Sequence, residues 1–216
     1  MNAYVLAGGR STRMGRDKAL VTYQGRPLVE RAVHLLREAG LEAWIAGSRP
    51  DLQSFAPFVP DRYRECGPLG GIEAALSTGK SEWNLFLAVD MPLMTAAFLR
   101  YLKERVSITE AYATIPTMAG RPMPLCAVYH CELLGGIRRA LDSGEYRVVR
   151  AVMEAAGSNL DLFSAEAVIA VRKDLTKNCK GATLAHRWFK NVNTTADLAQ
   201  IVEREGDFCG EKQEEA

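Results

Sequence analysis

The sequence predicts an α/β protein in which a mostly parallel β-sheet lies between two layers of helices. Three observations lead to this prediction. Short β-prone runs alternate with amphipathic helical runs along most of the chain, which is typical of strand-helix-strand units joined by right-handed crossovers. Residues 85–89 are continuously apolar, as expected for a strand buried on both faces of a sheet. A glycine-rich segment directly follows the first β-prone run. Together these features predict a three-layer α/β/α arrangement.

The elements of the first half follow one another regularly. Residues 2–7 form a short strand, and Pro27 begins an amphipathic helix that Gly40 ends. The remaining predicted elements of this half are strands at 41–47, 58–61 and 83–90, a glycine turn followed by a helix within 67–79, and a helix at 95–106 with Thr95 as its N-cap.

The second half is predicted to continue the alternation. It contains predicted strands at 111–116 and 124–130 and predicted helices at 133–144 and 147–157. We interpret residues 158–190 as irregular surface structure. The stretch from Trp188 onward is predicted to form a short strand and then a helix, with Thr194 or Thr195 as N-cap.

Composition excludes several classes of protein. With a formal net charge of +1 over 216 residues, neither a nucleic-acid partner nor a membrane surface is indicated. No apolar run reaches the roughly 20 residues of a membrane span, and no signal peptide is recognisable, so we expect a cytoplasmic protein. The 5 cysteines contain no C-x-x-C pair, which favours reduced thiols and argues against a structural metal.

The glycine-rich segment "LAGGRSTRMGRDK", at residues 6–18, is the strongest functional signal. It fits neither a Walker A loop nor the G-x-G-x-x-G dinucleotide fingerprint, because Gly8 and Gly9 are adjacent and Gly15 is followed by arginine. Glycine amides that converge with the cations of Arg13 and Lys18 form a natural polyphosphate site. A basic surface turn without a ligand is the alternative.

Asp90 ends the apolar strand 83–90 and is predicted to point out of the carboxyl edge of the sheet, where open α/β sheets bind ligands. A carboxylate beside a polyphosphate loop is a natural ligand for Mg²⁺, so we predict Asp90 as the metal ligand. Asp61 ends the strand 58–61 and could face the same crevice or could belong to an ordinary turn. The "GPLGG" turn at 67–71 could approach a ligand through its backbone or could serve only as a turn.

With these residues considered, the chain resembles the molybdenum cofactor guanylyltransferase family. The resembling segments, in chain order, are "LAGGRSTRMGRDK", "GRPL", "PD", "GPLGG", "VDMP", "GRPMPLCAVY" and "FKNVNTTADL". The resemblance implies one nucleotidyltransferase domain of Rossmann-like type over residues 1–216. Its nucleotide-binding part would be about 1–105, its acceptor-binding part about 106–205, and its frayed tail 206–216.

The resemblance also implies an activity: transfer of GMP from GTP, with Mg²⁺, to the phosphate of molybdenum-molybdopterin, with release of pyrophosphate. Molybdoenzyme chaperones would be further partners. It implies nucleotide contacts by Leu6, Ala7, Gly8, Gly9, Lys18, Ser48, Asp61 and Asp90, catalysis by Arg13, Lys18 and Asp90, and acceptor contacts by Gly70, Asn191 and Asn193. Ser48 stands where relatives often carry asparagine.

Two alternatives remain open at this point. A related enzyme could transfer a cytidylyl group, or could use a sugar phosphate as acceptor. A non-catalytic protein could bind the nucleotide and deliver the cofactor, although the presence of both Lys18 and Asp90 favours an enzyme, since a binder has less need of a metal carboxylate.

Overall fold

A computed structural model describes residues 1–8, 17–176, 185–192, 197 and 201. Within these residues, the strands are β1 (Asn2–Leu6), β2 (Thr22–Tyr23), β3 (Arg26–Pro27), β4 (Glu42–Ala46), β5 (Phe58–Val59), β6 (Trp83–Ala88), β7 (Ala113–Met118), β8 (Arg121–Pro122), β9 (Cys126–His130) and β10 (Leu160–Ser164). The helices are α1 (Leu28–Glu38), α2 (Gly67–Leu76), α3 (Ala96–Thr109), α4 (Leu134–Asp142), α5 (Val148–Ala156), α6 (Ala165–Val171) and α7 (Ala185–Trp188).

One sheet organises this part of the chain. Its strand order is β10-β7-β9-β6-β1-β4-β5, and β8 pairs with β7 beside that path. β1 pairs in parallel with both β4 and β6, and β4 pairs in parallel with β5. β9 runs antiparallel between β6 and β7, whereas β10 is parallel to β7. The predicted α/β class and the mostly parallel sheet are therefore confirmed.

The sheet separates two apolar cores. On one face, α1, α3 and α6 contribute to a core that includes Val5, Leu36 and Phe98. On the other face, α2, α4 and α5 cover a core that includes Tyr4 and Phe86, whose rings stack with centroids 5.5 Å apart. Because strand side chains alternate, neighbouring residues of β1 serve opposite cores.

Several local predictions are confirmed by backbone geometry. α1 begins directly after Pro27, and Gly40, with a φ of +75°, follows its end. The Thr95 hydroxyl accepts a hydrogen bond from the Phe98 N–H at 3.3 Å, so Thr95 is the N-cap of α3.

Two predictions were wrong. Residues 158–190 are not uniformly irregular, because they contain the edge strand β10 and the helix α6. No strand forms at Trp188, which instead ends α7. Trp188 and Phe189 are both buried and both contact the ring of Phe98, and consecutive residues of a strand would point to opposite faces. Thr194 and Thr195 lie outside the described residues.

Among the described residues, none of the helices combines the length and the apolar character that crossing a membrane would require.

Candidate active site at the switch point of the sheet

The strand order reverses direction around β1. The chain passes from β1 outward to β4 and β5, and then returns to place β6 on the opposite side of β1. In the sheet register, Leu6 lies beside Ala46 on one side and Ala88 on the other, so the three carboxyl ends are level. Open α/β sheets bind ligands at this kind of switch point.

A cavity of about 230 Å³ lies at this edge. Its walls come from the ends of four strands, from the amino end of α2 and from the segment that enters β9. The lining residues are Leu6, Gly8, Lys18, Ala46, Gly47, Asp61, Gly67, Pro68, Gly71, Ala88, Val89, Asp90 and Leu125. Among the described residues, the charged side chains of Lys18, Asp61 and Asp90 therefore share one cavity.

Lys18 and Asp90 form an ion pair. The Lys18 Nζ donates to Asp90 Oδ2 at 2.6 Å, and the two side chains are only 16% and 15% exposed. The other oxygen, Asp90 Oδ1, is buried and has no hydrogen-bond partner among the described residues. A buried carboxylate oxygen without a partner is costly, and a ligand or cation in the cavity would satisfy it.

Asp61 is the second carboxylate of the cavity. Its Oδ1 is likewise buried without a hydrogen-bond partner in the described part of the chain. Burial raises the pKa of the Asp61 carboxyl, a hydrogen bond from the Ser48 backbone N–H opposes this rise, and the charge of Glu73 adds to it. The Ser48 side chain itself is exposed, so its contact with Asp61 is made by the backbone.

The amino end of α2 forms one wall. The prediction of a turn at 67–71 was wrong, because the helix already begins at Gly67. Gly67 and Pro68, the first two residues of the helix, line the cavity, and the helix dipole makes this end electropositive. Gly71 also lines the cavity, and a Cβ there would lie 3.5 Å from Asp61 Oδ1. Gly70 does not line this cavity, and a Cβ there would lie 2.7 Å from the Tyr63 carbonyl oxygen, so its acceptor contact stays a prediction. The helix turns Gly70 toward that carbonyl and Gly71 toward the cavity.

The sequence reasoning missed an ion-pair network beside the cavity. The guanidinium of Arg49 donates to both carboxylate oxygens of Asp17 and to both of Asp51. Hydrogen bonds with Asp51 and Asp17 raise the pKa of Arg49, and burial partly opposes them. Asp17 lies 32 positions from Arg49, so only the "RPD" spacing of Arg49 and Asp51 was visible in the sequence.

The carboxy-terminal segment also reaches this edge. The backbone N–H of Val192 donates to the carbonyl oxygen of Asp90 at 2.9 Å, which brings Asn191 beside the same strand end. Asn191 is exposed and Val192 is buried. Leu6 and Ala7 are buried and Gly8 is exposed at the mouth of the cavity. Gly9, Arg13 and Asn193 lie outside the described residues, so their predicted roles stay predictions.

Comparisons with known proteins agree with this geometry. The family model described as "MobA-like NTP transferase domain" matches residues 3–159. The probable molybdenum cofactor guanylyltransferase of Opitutus terrae is 36% identical over 154 residues, which cover 68% of this chain and 75% of that protein. Its counterpart in Deinococcus radiodurans is 30% identical over 205 residues, 93% of each chain.

A solved structure shows the same fold. The crystal structure of molybdopterin-guanine dinucleotide biosynthesis protein A from Archaeoglobus fulgidus superposes with a TM-score of 0.75. It covers 96% of this chain and 100% of its own length at 23% identity. With the family model, the two long relatives and this fold in agreement, the chain belongs to the molybdenum cofactor guanylyltransferase family of MobA-like NTP transferases, and it is a nucleotidyltransferase.

Proposed function

We propose that this enzyme transfers GMP from GTP to the phosphate of molybdenum-molybdopterin, forming a guanine dinucleotide cofactor and pyrophosphate. The observation that carries the proposal is the convergence of Lys18, Asp61 and Asp90 in one cavity at the switch point of the sheet. The names of the relatives from Opitutus terrae and Deinococcus radiodurans support guanine as the base and the molybdenum cofactor as the product.

The Asp61 carboxylate would select the base. Guanine presents two kinds of N–H donor on its pairing edge, N1–H and the exocyclic N2 amine, and an ionised carboxylate can accept from both. Cytosine and adenine each place an acceptor nitrogen on that edge, which would face the carboxylate unfavourably. The buried Oδ1 of Asp61 has no hydrogen-bond partner in the described part of the chain, and this supports the role because a matching base would satisfy it.

The triphosphate would be held by positive charge on two sides. Lys18 would exchange the Asp90 carboxylate for phosphate oxygens, and the electropositive amino end of α2 would face the same anion. The predicted contribution of Arg13 belongs to the same charge neutralisation. Stabilising the β- and γ-phosphates improves pyrophosphate as a leaving group.

The carboxylates in the cavity also fit Mg²⁺. This cation takes oxygen ligands and is commonly held by one or two carboxylates together with substrate phosphates. The unpartnered Oδ1 of Asp90 supplies such an oxygen, and departure of Lys18 to the phosphates would release Oδ2 as well. Bound there, the cation would supply charge stabilisation to the reacting phosphate.

The transfer itself needs positioning more than covalent help from the protein. An oxygen of the acceptor phosphate attacks the α-phosphorus of GTP, a new phosphoanhydride bond forms, and the bond to the β-phosphate breaks in line with the attack. The acceptor phosphate is already an anion near neutral pH, so no general base is needed. Asn191, beside Asp90, and the predicted Asn193 would contact the acceptor.

Pyrophosphate release, measured with each nucleoside triphosphate in turn, tests the proposal. We expect release only with GTP, only in the presence of Mg²⁺ and of molybdenum-molybdopterin, and in equal amount to the dinucleotide formed. Equal or faster release with CTP would assign the protein to the cytidylyl alternative. Tight GTP binding without any release would favour the cofactor-delivery alternative.

A further inference from the structure

The turn after β4 contacts both ends of the glycine-rich segment. Gly47 lies against the start of that segment, because a Cβ on Gly47 would be 3.3 Å from the Gly8 nitrogen and 3.4 Å from the Gly8 Cα. Gly47 also has a φ of +134°, which strains any other residue. Two positions later, Arg49 pairs with Asp17 at the other end of the segment.

The Arg49 guanidinium is held by several hydrogen bonds. Its side chain is 15% exposed and divides its donors between two carboxylates. Nη1 donates to Asp17 Oδ1 at 3.1 Å, while Nε and Nη2 donate to Asp51 at 2.9 and 2.6 Å. Nη2 also donates to Asp17 Oδ2. The planar guanidinium can bridge two carboxylates in this way, whereas a lysine ammonium could not reproduce the fork.

Asp17 transmits this restraint to the cavity. Its Oδ1 accepts a hydrogen bond from the Ala19 N–H at 3.0 Å and thereby caps the short 3₁₀ turn Lys18–Leu20. Lys18 is the first residue of that turn, and its ammonium reaches Asp90 at 2.6 Å. The orientation of Asp17 therefore influences the position of the Lys18 backbone, from which the side chain extends to Asp90.

We propose that Arg49 is a positioning residue for triphosphate binding: it acts through Asp17 to hold Lys18 where the distal phosphates bind. Arg49 does not line the cavity and touches none of the reacting atoms in this scheme. The inference rests on the proposed function only in taking the bound anion to be a nucleoside triphosphate. The same restraint would act on any triphosphate that the wild-type protein binds.

Four variants separate this role from simple support of the fold. Arg49→Gln removes the fork, and Asp17→Asn removes the ion pair but keeps a good N-cap for the 3₁₀ turn. Asp51→Asn breaks only the local half of the network, and the Asp51 side chain is 53% exposed. Arg172→Gln is the matched control, because Arg172 pairs with Asp174 two residues later at the same spacing but does not line the cavity.

Titration calorimetry with GTP and with GMP provides the first readout. We expect Arg49→Gln and Asp17→Asn to lose about tenfold in GTP affinity, roughly the 1.4 kcal/mol of one well-made charged contact, and to lose less than about twofold for GMP. Asp51→Asn and Arg172→Gln should bind both ligands within about twofold of wild type, since exposed pairs contribute little. Arg49→Lys should recover only part of the loss.

Amide hydrogen exchange of the free protein provides a second readout that needs no ligand. Exchange at Ala19 and Leu20 should quicken in Arg49→Gln but not in Arg172→Gln, because the capped turn opens more often when Asp17 is released. Global stability is followed in parallel by thermal unfolding, so that a variant that simply unfolds is recognised.

The outcomes distinguish this inference from the proposed function. If Arg49→Gln loses GTP and GMP affinity equally, or if Asp51→Asn reproduces its effect, the positioning role through Asp17 is wrong whatever the reaction. If wild type prefers another triphosphate but Arg49→Gln selectively loses that triphosphate over its monophosphate, the proposed function fails and the positioning role stands.

Discussion

The two carboxylates of the cavity differ in what they already contact. Asp90 is paired with the Lys18 ammonium, whereas Asp61 receives a hydrogen bond from the Ser48 backbone N–H and lies near the negative charge of Glu73. A buried carboxylate near a like charge resists ionisation, so the pKa of the Asp61 carboxyl is raised. The two positions should therefore respond differently to mutation.

Changing Asp90 to asparagine should abolish turnover while folding survives. The side chain lies at a strand end rather than in a core, and the variant removes the charge that we assign to cation binding. Loss of one such charge-stabilising group commonly costs about 3 kcal/mol of barrier, or about a hundredfold in rate. Steady-state assays at saturating Mg²⁺ check this, and retention of more than about a tenth of the wild-type rate would contradict the assignment.

Changing Asp61 to asparagine should move base preference from guanine toward xanthine. Xanthine replaces the exocyclic amine of guanine with a carbonyl oxygen, so the asparagine amide can donate to that oxygen while its own carbonyl accepts from N1–H. Competition of labelled GTP by XTP measures the switch. A variant that still binds GTP tenfold better than XTP would place Asp61 away from the base.

The pH dependence of GTP binding should also originate at Asp61. Burial raises the pKa of this carboxyl, and only the ionised form can accept two N–H donors. GTP affinity should therefore be complete above the raised pKa and fall as the pH drops through it, by up to about tenfold per unit. Asp61→Asn should lack this titration, and an identical profile in both proteins would assign it to another group.

The sign for stability is the reverse of the sign for binding. Because the folded-state pKa of Asp61 is raised, its contribution to stability is complete below the unfolded pKa and is lost as the pH rises through the folded value. At neutral pH, Asp61→Asn should therefore keep or raise the Tm. A residue that lowers the free energy of unfolding is commonly one that is retained for binding.

At the scale of secondary structure, an element could be predicted from the sequence when the pattern of its own residues indicates its type. α1 was predictable because its buried positions recur with helical spacing between Pro27 and Gly40. β10 could not be predicted in this way, because most of its residues are partly exposed. It is held by pairing with β7 and by a hydrogen bond that the Arg105 Nε donates to the Asp161 carboxylate at 2.6 Å. That arginine lies 56 positions away, so no local window contains the signal.

At the site, too, residues whose place follows from the local sequence could be predicted, whereas contacts between separate elements could not. Asp90 and Asp61 could be found because a strand end predicts its own edge of the sheet. The contact between Gly47 and Gly8 depends on how separate elements pack. So does the fact that Gly71, and not Gly70, lines the cavity. The spacing of residues along the sequence does not encode such packing.

Adjacent glycines in α4 offer a test of close helix packing. A Cβ on Gly136 would lie 2.4 Å from the Ala155 Cβ in α5, whereas a Cβ on Gly135 meets only the Arg139 side chain at 3.7 Å. Gly136→Ala should lower the free energy of unfolding by about 1–3 kcal/mol through overpacking. Gly135→Ala should raise it by about 0.5–1 kcal/mol through helix propensity. Urea denaturation measures both, and equal effects would refute the close approach.

At the scale of the whole molecule, the described residues 188–192 pack against α3 and the segment that follows β6. Trp188 is 2% exposed and its ring lies 5.8 Å from that of Phe98 in α3, while Val192 bonds to the backbone of Asp90. Trp188, Phe189 and Val192 are thus part of the apolar core beside the cavity.

Trp188→Ala should therefore lower the free energy of unfolding by about 3–5 kcal/mol, as for other large-to-small changes of buried aromatic residues. Tyr146→Ala is a suitable control because Tyr146 is 49% exposed. Chemical denaturation compares the two. Similar small losses in both variants would mean that the carboxy-terminal segment adds little to the core.

The order of strands in the sheet differs from their order along the chain, and this has a consequence for synthesis on the ribosome. β1, β4 and β5 pair only with one another and with β6, so these four strands can assemble once the chain has emerged to Ala88. β7 emerges next but cannot dock on β6, because that place belongs to β9. Until residues 126–130 emerge, β6 presents an unpaired apolar edge, and we expect this nascent stage to be the one at which the protein most needs protection from aggregation.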